Sequence, residues 1–120
     1  MSVDPSITEL KERLREFAAA RDWERFHNRK DLAVSVAIEA AELLEVFQWK
    51  SAEEVEDHLQ SSVGRAALED ELADVFIYLL RLADVAGVDL AAATNDKISR
   101  NEARFPAGAG QPDEPTTRCE

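Results

Sequence analysis

Apolar residues recur at helical spacing along almost the whole chain. Ile7, Leu10, Leu14 and Phe17 lie three or four apart behind Ser6-x-x-Glu9, which has the form of a capping box, so a first helix is expected near residues 7–21. Trp23 to Lys30 reads as a turn-like link. A second helix is expected over 31–48, with Asp31 as its cap. Ser51-x-x-Glu54 opens a short helix ending near Gln60, and a long helix runs from about Val63 to Ala86, where Gly87 stands at the cap position. Asp89 caps a last helix that reaches about Arg104 and stops at Pro106. No segment alternates with the period of a strand and no internal repeat is visible. The expected fold is therefore all-α, a bundle of four to five helices forming one domain over residues 1–106, with 107–120 read as a disordered tail.

Two of these helices are apolar on more than one side. In the second, Val36, Ala40, Leu43 and Phe47 form one stripe with Glu39 and Glu42 on its flank, yet Val34, Ile38 and Ala41 lie nearly opposite. In the long helix the main stripe is Leu68, Leu72, Val75, Phe76, Leu79 and Ala83; Glu71, Asp74 and Tyr78 run along its flank, and Ile77 and Leu80 fall outside it. Helices of this kind need burial on most sides, and association of subunits is the natural cover.

The flanking acids change the picture most. Glu39-x-x-Glu42 and Glu71-x-x-Asp74 each place two carboxylates on one helix face, so packing the two helices together can converge all four. Converging carboxylates repel one another at neutral pH unless cations sit between them, and clustered oxygens with room for substrate phosphates suit Mg2+. The spacing Glu-x-x-His used by di-iron bundles does not occur at either pair, and no cysteine is at hand to favour zinc. The plain alternative is a solvated acidic edge, the usual fate of such pairs in an acidic helical chain.

Charge and composition narrow the class. The net charge is −11, and residues 31–84 hold 13 acids against three bases, flanked by segments in which bases match or slightly exceed acids. That distribution argues against duplex nucleic acid, which wants a basic face. The chain has no glycine-rich phosphate loop, no apolar run long enough to span a membrane and no visible secretory signal. Its lone cysteine, Cys119, points to a reducing cytoplasm.

A second set of candidates is aromatic. Phe17, Phe47 and Phe76 are expected in the core, whereas Trp23 and His27 in the polar link, Trp49 after the second helix and Tyr78 one turn beyond Asp74 could line a flat heterocycle. Core packing is the alternative for the aromatics, and an ordinary surface histidine for His27. Lys97, Asn101 and Arg104 share a face of the last helix and could hold a polyphosphate, or serve only the helix dipole.

Four segments in order, F-A-A-A-R-D-W-E-R-F-H, E-A-A-E-L-L-E-V-F-Q-W-K, E-L-A-D-V-F-I-Y-L-L-R-L-A and K-I-S-R-N-E-A-R-F-P, resemble the MazG-like all-α nucleoside triphosphate pyrophosphatases, in particular their dCTP pyrophosphatase branch. The resemblance spans about residues 10–106, with 28 residues between Glu42 and Glu71. It implies that Glu39, Glu42, Glu71 and Asp74 bind Mg2+, that Trp23, His27, Trp49 and Tyr78 line a nucleoside pocket, and that Lys97 and Asn101 lie near the phosphates. It further implies a homotetramer built as a dimer of dimers. Two positions depart from relatives: Ile38 stands where some carry a glutamate, and Leu14 about where certain dCTP pyrophosphatases carry a histidine. The expected activity is Mg2+-dependent hydrolysis of a nucleoside triphosphate, dCTP or a related pyrimidine, to the monophosphate and pyrophosphate. The competing expectation is a non-catalytic helical oligomer that binds metal or nucleotide as a scaffold or sensor.

Overall fold

The computed structural model describes residues 4–108; of the tail expected over 107–120, residues 109–120 lie outside the described residues. Two compact units divide the chain, Met1–Val88 with four α-helices and Asp89–Glu120 with one. In the first, α1 (Ile7–Ala20) opens on the expected reciprocal cap, with Ser6 Oγ accepting from the Glu9 N–H and Glu9 Oε1 from the Ser6 N–H, both at 3.0 Å. The link turns through Asp22, whose φ is +55, and a short 3-10 turn at Glu24–Phe26.

The second helix, α2 (Arg29–Glu45), begins earlier than expected, and its cap is Asn28 rather than Asp31. Asn28 Oδ1 accepts from the Asp31 N–H at 2.8 Å while its own amide donates to Asp31 Oδ2 at 2.7 Å, so the two residues close the helix end together. The helix also stops at Glu45 instead of running to 48, because Phe47 and Gln48 both donate to the Leu44 carbonyl in a closing turn.

A second capping box, Ser51 with Glu54, starts α3 (Ala52–Gln60). Ser61 then joins two helices with one side chain, donating to the His58 carbonyl at 2.6 Å and accepting from the Gly64 N–H at 3.0 Å to cap α4 (Ser62–Ala86). Gly87, at φ +71, ends α4 in the left-handed conformation that glycine adopts without strain. In the second unit Asp89 caps α5 (Leu90–Arg104), as expected, by accepting from the Ala92 N–H. Among the described residues there is no strand, and no helix is long and apolar enough to cross a membrane.

The most extensive packing in the first unit is between α2 and α4; α3 and α1 add to α4. The distribution of apolar residues differs from the expectation. Leu80, outside the main stripe of α4, is 2% exposed, while Leu72 on that stripe is 49% exposed and Phe76 and Leu79 are exposed with it. The reason is geometric: α1 packs on α4, held by a bidentate ion pair from Arg15 to Asp84, and covers the side on which Leu80 and Asp84 lie. The inward face of α4 toward α2 is then the flank carrying Glu71, Asp74 and Tyr78, all half-buried. Phe76, expected in the core, is exposed for the same reason; Phe17, also expected there, is exposed on α1 beside Trp23 and Arg21, whereas Phe47 is half-buried.

Two glycines separate close approach from backbone strain. A Cβ on Gly64 would run into the His58 carbonyl, so Gly64→Ala must push α3 off α4, with an expected loss of about 1–3 kcal/mol. Gly87 has open space around it and only its positive φ to defend, so Gly87→Ala should lose about 1 kcal/mol. Thermal unfolding of the two variants checks the order, with Gly64→Ala giving the larger fall in Tm.

Candidate functional site

The register of α2 on α4 decides which acids meet. Arg29 donates to the Val85 carbonyl at 3.5 Å, fixing the start of α2 against the end of α4. The helices run antiparallel, so moving forward along α2 moves back along α4, and Glu39 comes level with Asp74 and Glu42 with Glu71 to within about one residue. Carboxylate oxygens of Glu39, Glu42 and Glu71 lie within 4.8 Å of one another, with Glu42 exposed and the other two half-buried. Asp74 stands outside that trio, half-buried one turn along, and its charge acts on both Glu39 and Glu71.

No ion pair to Glu39, Glu42 or Glu71 is found among the described residues. Glu39 Oε2 and Glu71 Oε2 are buried with no hydrogen-bond partner among the described residues. Of the two arginines in α4, Arg65 pairs with Glu69 and Arg81 with Asp84, so neither neutralises the cluster. Burial, then a hydrogen bond with Glu42 and the charges of Glu42, Asp74 and Glu71, pushes the Glu39 carboxyl from its ordinary 4.5 up to about 7. Glu71 moves the same way, first through burial and then through the charges of Glu42, Asp74, Asp70 and Glu45. A buried carboxylate oxygen without a donor is unfavourable, and a hard divalent cation removes the penalty for all of them at once. A donor set of carboxylates alone, with no histidine or cysteine, fits Mg2+ better than zinc or iron.

The aromatic candidates divide. Tyr78 is half-buried on the same α4 face as Glu71 and Asp74. His27 is half-buried beside α4, its Nδ1 accepting from Arg81 Nε at 3.3 Å. Since Arg81 is seven residues beyond Asp74, His27 is brought to α4 two turns from the acids, on the order of 10 Å along the axis. Trp23 sets its ring edge-on to Phe17, with centroids 5.5 Å apart, and keeps part of its surface exposed. Trp49 stands apart from these: it is 91% exposed, and its φ of +68 is rare for a residue with a bulky side chain. Lys97 and Asn101 sit one turn apart on α5, in the second unit.

Sequence reasoning missed a group at the far end of α4. Arg81 is 6% exposed and lies between His27 and Asp84, whose Oδ2 is 3.4 Å from Arg81 Nη1. Asp84 also accepts two bonds from Arg15, at 3.1 and 2.7 Å, and those bonds above all hold its carboxyl below the ordinary range. The only signal in the sequence was one arginine inside the apolar run F-I-Y-L-L-R-L-A.

Comparison with known proteins places these residues in context. A family model described as MazG-like matches residues 34–114. Two curated relatives named dCTP pyrophosphatase 1, from Bos taurus and Homo sapiens, are each 42% identical over 88% of this chain. The chain spans 62% of the length of those relatives. Among solved structures, a crystal structure titled as a pyrophosphatase from Archaeoglobus fulgidus superposes with a TM-score of 0.78 at 42% identity, covering 88% of this chain and 97% of that one.

The raised carboxyl pKa values carry a stability prediction with a definite sign. A folded-state pKa near 7 against an ordinary 4.5 means that the folded protein holds the Glu39 proton where the unfolded chain has released it. In chelator, stability should therefore be greatest below about pH 4.5 as far as Glu39 is concerned, and fall as pH rises to about 7. Melting curves across this window should show that fall, a shallower one for Glu39→Gln, and recovery of the wild-type Tm on adding Mg2+ at pH 7.5. A wild-type Tm indifferent to both pH and Mg2+ would remove the case for a shared cation.

Proposed function

The chain belongs to the MazG-like family, and on that premise we propose that it is a Mg2+-dependent nucleoside triphosphate pyrophosphatase. Its substrate on this reading is dCTP or a related pyrimidine deoxynucleoside triphosphate, cleaved to the monophosphate and pyrophosphate in the control or cleansing of the nucleotide pool. The observation that carries the reading is the pair of buried, unpartnered oxygens on Glu39 and Glu71 within one carboxylate trio. Relatives named dCTP pyrophosphatase support this substrate class, and they favour catalysis over a passive scaffold or sensor. The lone Cys119 is the basis for placing the protein in a reducing cytoplasm.

Glu39, Glu42, Glu71 and Asp74 would hold the Mg2+. Bound there, the ion supplies neutralisation of the polyphosphate and a more acidic water. The chain's own contribution is positional: α2 and α4 hold the carboxylates in fixed register, so little reorganisation accompanies substrate binding. Ile38 offers no base, so a proton leaving the attacking water goes to one of the four motif carboxylates on this reading. Tyr78, His27, Trp23 and Trp49 are assigned to the nucleoside, and Lys97 and Asn101 to the phosphate tail on the resemblance and their shared helix face.

Assembly belongs to the same proposal. Ile38 is 52% exposed, and Val34, Leu44, Leu72, Phe76 and Leu79 add further apolar surface on α2 and α4. Surface of this kind supports a homotetramer, a dimer of dimers in which copies cover one another's helices. Trp49, projecting from the chain, would then meet a neighbouring copy.

Incubating the protein with a panel of nucleoside triphosphates should release pyrophosphate, fastest from dCTP, and only with a divalent cation present. Glu42→Gln and Glu71→Gln preserve size and remove the needed charge; each should lower kcat by at least about a hundredfold while the far-ultraviolet circular dichroism stays helical. Near-normal turnover in either variant at saturating Mg2+ would show the site to be misassigned.

Light scattering should give a mass near four times the 13.4 kDa of one chain. Ile38→Asp places a charge on the apolar face and should dissociate the assembly or prevent folding. A wild-type mass equal to one chain would refute the shared faces.

A further inference from the structure

We propose that Arg81 is a positioning residue: by donating its Nε–H to Nδ1 of His27, it fixes the imidazole with its hydrogen on Nε2 and presents that N–H to a hydrogen-bond acceptor on the nucleobase. The inference rests on the assignment of His27 to the nucleoside made above. Arginine has donors only and does not lose its proton, so the ring nitrogen it meets must offer a lone pair. The hydrogen of a neutral imidazole then has one place left, Nε2.

The surroundings of Arg81 show why the pairing with His27 sets it apart. Asp84 already has two short bonds from Arg15, and the contact from Arg81 is single and longer, at 3.4 Å. Holding Asp84 therefore does not require a second guanidinium. A guanidinium 6% exposed is unfavourable to bury unless its donors are used, and the Nε–H is used on His27. The groups acting on His27 are Arg81 from α4, with Asp84 behind it, and Glu24 from the 3-10 turn. Burial first and the Arg81 charge second lower the His27 pKa, against an opposing pull from Glu24, so the ring is neutral at physiological pH. A neutral N–H donor suits a base carbonyl or ring nitrogen. A phosphate would be better served by an imidazolium, which the guanidinium opposes. The position agrees: the carboxylates sit at the level of Glu71 and Asp74, and His27 about two turns away along the same helix.

The test combines spectroscopy with kinetics. The chain has two histidines, so a long-range proton–nitrogen spectrum of the imidazoles, assigned with His27→Ala, reads the tautomer and titration of His27 directly. Wild type should show one neutral tautomer with hydrogen on Nε2 and a pKa below 6.5. Arg81→Met, of similar length but without a donor, should give mixed tautomers and a pKa nearer the ordinary value. It should also raise KM for dCTP about three- to tenfold with kcat within about twofold. Arg81→Lys, which like arginine only donates, should restore much of the lost affinity. In a His27→Ala background Arg81→Met should change KM by less than about twofold, because its effect runs through the ring. Hydrogen on Nδ1 in wild type overturns the proposal even if Arg81→Met does not fold, and so does an additive double variant. A wild-type protein that cleaves no triphosphate sinks the pyrophosphatase reading and this inference with it. Cleavage with an unchanged KM in Arg81→Met sinks only the inference.

Discussion

Everything in the first unit follows from packing α2 and α4 together through a face that carries like charges. Glu39, Glu42 and Glu71 crowd at one level of the seam, with Asp74 a turn away, and no arginine of α4 is free to neutralise them. Like charges in a seam oppose the packing that brings them there, so contacts elsewhere must hold it closed. Arg29 on the Val85 carbonyl holds one end. The other end is held by α3, whose junction with α4 is fixed by Ser61 bonding in both directions and by a glycine where no side chain fits. The repulsion is thus confined to a short stretch between two anchored ends.

That choice of interface determines the surface. Because the flank of α4 faces α2 and the Leu80 side faces α1, the stripe of Leu72, Phe76 and Leu79 is left exposed by the described helices of the first unit. The buried apolar core among the described residues consists of Ala18, Leu32, Leu80 and Ala83, small for a sequence that is 45% hydrophobic. A chain with so little core and so much outward apolar surface keeps much of its hydrophobic free energy unrealised within the first unit, and this is the surface on which the proposed assembly rests.

The sequence revealed the elements far better than the faces. Capping boxes at Ser6 and Ser51 and the glycine at 87 are local signals, complete within four residues, and each marks a real helix end. The cap at Asn28 was passed over because Asp31, three residues on, is also a good cap; in the structure it is the partner of the cap. The acid pairs stand out in the sequence because their spacing is helical, but that Glu39, Glu42 and Glu71 meet while Asp74 stays a turn away depends on an antiparallel register set by tertiary contact. The inward side of α4 was not legible. Periodicity reports how apolar a face is, and it does not say whether the neighbour lies in the same chain or in another. The Arg15–Asp84–Arg81–His27 chain escaped for a related reason: its members are as far apart as residues 15 and 84, and only tertiary packing brings them together.

The two ends of the α4 interior use charge in opposite ways, and the contrast separates what is fixed from what is exchangeable. Toward the carboxyl end, Asp84 has Arg15 and Arg81, Arg81 has His27, and every charge is spent on a neighbour in the chain. Such a network resists change, because removing any member strands another. Around Glu71 one buried oxygen each of Glu39 and Glu71 has no hydrogen-bond partner among the described residues, and burial and then neighbouring carboxylates make both carboxyls hold their protons to higher pH. A group left unsatisfied inside an otherwise well-anchored seam is available to something that comes and goes. A proton fills that role in isolation. A divalent ion, with charge enough for several oxygens at once, would fill it better, and the satisfied network two turns away would keep the helix in place.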